Sequence, residues 1–207
     1  MEKFVRFSGI AAPLEMINVD TDMIIPKQFL KTIKRTGLGK HLFEEMRYKA
    51  DGKDNFDFIL NRMPYRKATI LLAGANFGCG SSREHAVWAL KDFGIKCIIA
   101  PSFSDIFFNN CQKNGLLPIK MGELDVQHFM AVSQSHRGEF TIDLAINRVI
   151  MPNGAPIPFQ YDEFQKRCLL EGLDDIGLTM EKAADIDTFE AQQKKDQPWL
   201  YEERAAA

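Results

Sequence analysis

The feature that most narrows the possible folds is a strand, a glycine turn and a helix start in immediate succession. Thr69-Ile70-Leu71-Leu72-Ala73 carries no charge, the turn after it holds Gly78 and Gly80, and Ser81, Ser82 and Arg83 open a helix expected to run to Leu90. A run this uniformly apolar is not a half-exposed strand, in which polar residues would alternate. The pattern then repeats. Gly94 ends the first helix, Cys97-Ile98-Ile99-Ala100 is a second wholly apolar strand stopped by Pro101, Ser102 with Asp105 spells another helix start, and a helix from Asp105 to Asn114 closes at Gly115 before a third strand, Leu116 to Met121. Strands buried on both faces and alternating with helices predict an α/β fold, with a mostly parallel central sheet covered by helices.

The flanking segments add to this unit. Residues 4–12 read as one strand, with Pro13-Leu14-Glu15 turning out of it. The polar run from Asn18 to Asp22 reads as a turn in which Thr21 or Asp22 caps the next segment. A short helix is expected over Lys27 to Lys34, then a second over Leu38 to Tyr48, where Leu42, Phe43 and Met46 fall at helical spacing. Asp51 to Asp57 is a polar loop. After a helix from Glu123 to Ser135, Phe140 to Met151 alternates as a strand and meets Asn153-Gly154, a hairpin signal, before a proline-rich return strand. Tyr161 to Glu171 is helical, with Gly172 as its stop. From about Thr179 onward the pattern is an amphipathic helix and then a charged tail ending in three alanines. No repeat and no linker divides the chain, so residues 1–207 are expected to form one domain with a C-terminal helical extension.

Composition excludes several function classes. With 45% hydrophobic and 26% charged residues, the 207-residue chain resembles ordinary globular proteins. A net charge of -2 lacks the basic bias expected for nucleic-acid binding. No stretch is apolar for long enough to cross a bilayer and the N-terminus lacks a signal-peptide core, so a cytoplasmic protein is expected. The four cysteines, Cys79, Cys97, Cys111 and Cys168, form no Cys-x-x-Cys pair, so neither a zinc site nor a complete iron–sulfur ligand set is spelled out. Asp20 and Asp22 lack the further oxygen ligands and the glycine of a calcium loop. No metal site is expected in this chain.

The turn after Ala73 is where chemistry is expected. The first N–H groups of a helix have no intrahelical partner and its dipole favours negative charge, so a glycine turn leading into a helix is an anion site. Arg83 adds a guanidinium able to hold a carboxylate through two parallel hydrogen bonds. A P-loop would need lysine and then Ser or Thr after its glycines, and the dinucleotide fingerprint would need glycine where Arg83 stands. A small organic anion fits better than a nucleotide. Ser81 with Glu84 also reads as a capping box, which would begin a helix without any chemistry. Cys79 has no histidine evidently placed to activate it, and His85, inside the helix, reads as orienting or packing. Lys31, Lys34 and Arg35 are either a solvated face or guards at the entrance of an anion site.

Residues Asn76 to Ala86 (NFGCGSSREHA), Ala100-Pro101-Ser102-Phe103-Ser104-Asp105-Ile106 and Asn114-Gly115-Leu116-Leu117-Pro118 resemble the swivelling domain of the aconitase superfamily. With Asn18 to Leu30 (NVDTDMIIPKQFL) and Gly172 to Thr179 (GLDDIGLT), the likeness extends over nearly the whole chain. Within the superfamily it is to the small subunits of bacterial 3-isopropylmalate dehydratases. The resemblance implies a swivelling β/β/α domain with additional hairpin strands, acting in leucine biosynthesis as one chain of a two-chain hydro-lyase that is inactive alone. Such enzymes interconvert 2-isopropylmalate and 3-isopropylmalate through 2-isopropylmaleate. It implies a separate large subunit as partner, carrying a [4Fe–4S] cluster that this chain does not ligate and whose open iron acts on the leaving hydroxyl. It further implies Ser81 as catalytic base, Arg83 as binder of a small dicarboxylate substrate, and Ser82 as a hydrogen-bonding group beside them. The loop holding Leu30, Lys31 and Ile33 is implied to discriminate substrates. Leu30 and Ile33 suit an isopropyl group, whereas Lys31 would favour a carboxylate arm. Small subunits of sister hydro-lyases acting on homoaconitate, citraconate or dimethylmalate, and a non-catalytic carboxylate-binding module, are the alternatives.

Overall fold

The computed structural model describes residues 1–135 and 138–201. The tail from residue 202, with its three alanines, lies outside them. Among the described residues, eight strands form two four-stranded sheets. β1 (Phe7–Gly9), β6 (Phe140–Asp143), β7 (Arg148–Ile150) and β8 (Pro156–Pro158) pair antiparallel in that order. β2 (Ala11–Leu14), β3 (Ile70–Ala73), β4 (Cys97–Ala100) and β5 (Leu117–Lys120) pair in parallel, also in that order. The helices are α1 (Thr21–Ile24), α2 (Glu44–Arg47), α3 (Glu84–Phe93), α4 (Asp105–Lys113), α5 (Glu123–Ser135), α6 (Glu163–Glu171), α7 (Asp175–Met180) and α8 (Ala183–Asp196).

Each residue of β2, β3 and β4 is buried, as the uncharged runs require. Their alternate side chains supply two separate cores. Leu71, Ala73, Ile98 and Ala100 pack with Ala86, Val87 and Leu90 of α3 and Phe107 of α4. Ile70, Leu72, Cys97 and Ile99 pack with Val126 and Phe129 of α5 and Phe140 and Val149 of the antiparallel sheet. The order is therefore helices, parallel sheet, then helix and second sheet. Each fully buried Leu or Ile contributes about 1.5–3 kcal/mol relative to exposure.

The structure departs from the sequence expectations in several places. The single strand expected over 4–12 is two strands in different sheets. The break is at Ile10, whose carbonyl accepts from both Thr69 N and Ile70 N. Gly9 makes the bend possible, since a Cβ there would lie 1.9 Å from Thr69 Oγ1. Pro13 lies within β2 rather than turning out of it; β2 is an edge strand, where a missing N–H is tolerated. Of the helix expected over Lys27 to Lys34, a single 3-10 turn forms, Lys27–Phe29. Further on, Thr32 Oγ1 takes the Lys34 N–H at 3.1 Å and competes with helix formation.

The helix expected over Leu38 to Tyr48 is a 3-10 turn (Gly39–His41), a left-handed Phe43 at φ 51°, and then α2. Buried Arg47 explains the interruption by donating to the Gly39 and Leu42 carbonyls at 3.2 and 3.3 Å, acceptors that a continuous helix would use internally. Phe43 N is diverted to the Ile24 carbonyl at 2.9 Å. The strand expected over 140–151 is likewise divided, because Asp143 accepts from Ile146 N in an Asx-type turn before left-handed Asn147. The hairpin at Asn153-Gly154 forms as expected and leads into β8. Beyond α6, stopped by left-handed Gly172, α8 buries none of its residues, leaving Phe189 exposed along with nearby Trp199 and Leu200.

Candidate active site

All four parallel strands point their carboxyl ends the same way, and the loops leaving β2, β3 and β4 are laced together there. Asn18 N donates to Ala75 O (2.9 Å), Gly78 N to Val19 O (2.7 Å) and Thr21 N to Cys79 O (3.0 Å). On the other side, Phe77 N donates to Ser102 O and Ser104 N to Phe77 O, both at 3.0 Å. The glycine turn is thus held as a central ribbon between two neighbours. Gly78 is needed at its position: φ is +75° and a Cβ would come within 2.1 Å of Phe107 Cγ. Gly80, at φ +84°, lets the turn pass beside Asp20.

The lacing ends at the candidate catalytic residues. Thr21, only 2% exposed, donates its hydroxyl to the Ser81 carbonyl at 2.8 Å. Ser81 and Ser82 are exposed, and among the described residues neither hydroxyl has a hydrogen-bond partner. The capping box expected at Ser81 is not formed. α3 begins two residues later, with Arg83 in extended conformation as its N-cap, and Glu84 reaches Asn114 Nδ2 at 2.8 Å instead of turning back to Ser81. The Ser102 cap is also replaced: Ser104 is the N-cap residue of α4, while Ser102 Oγ accepts from Asn76 N at 2.8 Å. At α1 the cap is Asp20, accepting from Met23 N at 2.7 Å, rather than Thr21 or Asp22.

Asp22 has a different partner. Its carboxylate pairs with Arg83 Nη1, bringing together residues 61 positions apart. The hydrogen bond from Arg83 holds the Asp22 carboxyl below its usual range. The Arg83 side chain is mostly enclosed, yet its Nε and Nη2 donors have no partner among the described residues. One edge of the guanidinium is anchored while the other donors remain available to a carboxylate. From sequence, Asp20 and Asp22 read as turn formers around Thr21, with Thr21 or Asp22 as the cap. Nothing local marks either as part of the site; the signal was their place in the Asn18 to Leu30 motif.

The loop holding Leu30, Lys31 and Ile33 lies beside α3, because His85 Nε2 meets the Thr32 carbonyl at 2.8 Å. Leu30 packs partly against the core under α3, Lys31 is exposed, and Ile33 is 93% exposed. Cys79 is half-buried in the turn. Cys97 and Cys111 are buried, and burial raises both thiols well above their ordinary range. Among the described residues no group of three or more His, Cys, Asp and Glu side chains is placed to hold a metal ion. No helix among them is long and apolar enough to cross a membrane.

Comparison with known proteins places these residues in a family. Residues 1–124 match the model of the aconitase C-terminal domain, and residues 175–203 match that of the C-terminal domain of the 3-isopropylmalate dehydratase small subunit. The chain is 61% identical over 201 residues to a 3-isopropylmalate dehydratase small subunit of Azorhizobium caulinodans, covering 97% of this chain and 100% of the relative. It is likewise 61% identical over 203 residues to that of Paramagnetospirillum magneticum, again covering 97% and 100%. Among solved structures, a 3-isopropylmalate dehydratase of Methanocaldococcus jannaschii superposes with a TM-score of 0.65 at 28% identity, covering 89% of this chain and 99% of that one.

Proposed function

The chain belongs to the aconitase C-terminal domain family, among the 3-isopropylmalate dehydratase small subunits of leucine biosynthesis, and on that premise we propose that Ser81 is its proton-transferring group and Arg83 its substrate clamp. The reaction interconverts 2-isopropylmalate and 3-isopropylmalate by removing water to give 2-isopropylmaleate and adding it back. Each elimination takes a proton from the carbon beside a carboxylate while hydroxide leaves the neighbouring carbon. The Ser81 alkoxide accepts that proton and returns it on rehydration. Charge building on the carboxylate is met by the unpaired Arg83 donors and by N–H groups at the start of α3. Ser82 adds a hydroxyl beside them. A serine hydroxyl is a weak base in water, and these same positive groups favour its anion.

The observation that carries this reading is the conjunction of an exposed, unpartnered Ser81 hydroxyl with a half-anchored Arg83, on a turn fixed by its neighbours on both sides. Aconitase-family enzymes generally use a [4Fe–4S] cluster. The donor set here does not suit one: two thiols are buried and held protonated, and Cys79 and Cys168 sit on separate elements. We therefore assign the cluster to a large subunit that docks on this open edge in the cytoplasm, and expect the small chain alone to be inactive. Residues 1–207 act as a single swivelling domain, with an extension from about residue 179. Leu30, Lys31 and Ile33 face the variable arm of the substrate.

The test is Ser81→Ala in a complex assembled with the large subunit. Since Ser81 is not the cap of α3, the variant should fold and assemble with stability changed by less than about 0.5 kcal/mol. Turnover followed by absorbance of the unsaturated intermediate should vanish. Near-normal turnover by the assembled Ser81→Ala complex would refute the assignment.

A further inference from the structure

Three residues of α3 at positions i, i+3 and i+7 lie along one stripe of the helix. Each holds a different point of the segment after Leu30. His85 Nε2 bonds the Thr32 carbonyl at 2.8 Å. Trp88 lies beneath the Arg35 guanidinium, 5.2 Å from Cζ to the ring centroid. Asp92 Oδ2 accepts from Gly37 N at 2.9 Å and from Gly39 N at 2.7 Å. Gly39 itself sits so close to the helix that a Cβ would lie 2.5 Å from Phe93 N. The segment between these grips is exposed, Ile33 almost completely.

We propose that His85, Trp88 and Asp92 are positioning residues: a rail on α3 that fixes the substrate-discriminating loop relative to Arg83 at the start of the same helix. The inference rests on the loop assignment made above. Its physical content is that the clamp for the common carboxylate and the surface reading the variable arm are referred to one rigid element. None of the three needs to touch substrate. The Thr32 carbonyl accepts, so His85 must carry its proton on Nε2 to serve, and a glutamine amide N–H can replace it whereas leucine cannot.

Two measurements test this. Amide hydrogen exchange is read on the full small chain over residues 30–39, where the Gly37 and Gly39 amides report the Asp92 bonds directly. Losing one net hydrogen bond corresponds to about a fivefold change in opening. His85→Leu should therefore speed exchange over 32–37 by about that factor, and His85→Gln should restore protection. Arg35→Ala, at an exposed position that does not endanger folding, should loosen the same peptide. In the complex with the large subunit, His85→Leu should raise KM for 3-isopropylmalate several-fold with kcat within about twofold, and lower the kcat/KM ratio of 3-isopropylmalate over citraconate. His85→Gln should restore both. Unchanged exchange in His85→Leu and Arg35→Ala overturns the proposal, as does faster exchange with an unaltered substrate ratio. A wild-type complex without turnover would count against the proposed reaction, while the exchange arm would still decide whether the rail exists.

Discussion

Replacing Thr21 with valine removes one hydroxyl from the site and leaves its shape nearly intact. Thr21 is almost fully enclosed and its Oγ1 bonds the Ser81 carbonyl at 2.8 Å, the final link between the two laced loops. The net worth of such a bond is about 0.5–1.5 kcal/mol. Valine fills the space, and the Ser81 carbonyl belongs to an exposed residue that water can partly reach, so the upper end of that range is not expected. For a chain of this size about 1 kcal/mol lowers the melting temperature by about 2–4 °C. The effect on turnover should be larger than the effect on stability. Ser81 is exposed and depends on backbone bonds for its position, and a displacement on the order of 1 Å at a reacting group costs about 100-fold in rate. Turnover of the Thr21→Val complex should fall by about 10- to 100-fold, with Thr21→Ser, which keeps the hydroxyl, near wild type. The assay pairs thermal unfolding of the small chain with turnover of the assembled complex. A Thr21→Val complex within twofold of wild type would refute the claim that this bond positions Ser81.

The Asp22 carboxyl should titrate below the ordinary carboxylate range, because Arg83 hydrogen-bonds its charged form. A depressed folded pKa means that the pair's contribution is complete above the unfolded value and is lost as pH falls through the folded one; half-exposure keeps it small. Carbon-detected NMR of Asp22 should show its midpoint rising in Arg83→Gln, and an unmoved midpoint would disprove the pairing in solution. In the native chain, a thiol reagent should reach only the half-buried Cys79 and Cys168, with Cys168 slowed because burial raises its thiol. Cys97 and Cys111 should react only after unfolding. Four equivalent native thiols by mass spectrometry would contradict the two packed cores.

Much of the architecture could be read from the chain. Two short uncharged runs and a third that is apolar apart from Lys120, separated by amphipathic segments, point to a parallel sheet with covered faces, and left-handed Gly94, Gly115 and Gly172 mark three helix ends. Burial and helix stopping are local properties: a residue's own side chain and its periodicity fix which face turns inward. The reading failed where an element's fate depended on a distant partner. Leu38 to Tyr48 has helical spacing, but Arg47 supplies donors to the carbonyls from within and Ile24 claims the Phe43 amide. The 4–12 strand is divided because two sheets need different directions on either side of Ile10.

For the site, the sequence by itself determined the chemical inventory: a glycine turn after a buried strand, two hydroxyls and a guanidinium, with the motif likeness giving each a role. Whether Ser81 caps a helix or stands free was decided by tertiary structure, since both fit Ser-x-x-Glu and the choice depends on whether Glu84 turns back to the cap or across to Asn114. The Asp22 to Arg83 pair, the Thr21 to Ser81 bond and the grip of His85 on Thr32 each join residues more than 50 positions apart. Such contacts leave no periodic trace in the sequence. They exist because three parallel strands bring their loops to one edge, and only the packed sheet sets which loops meet there.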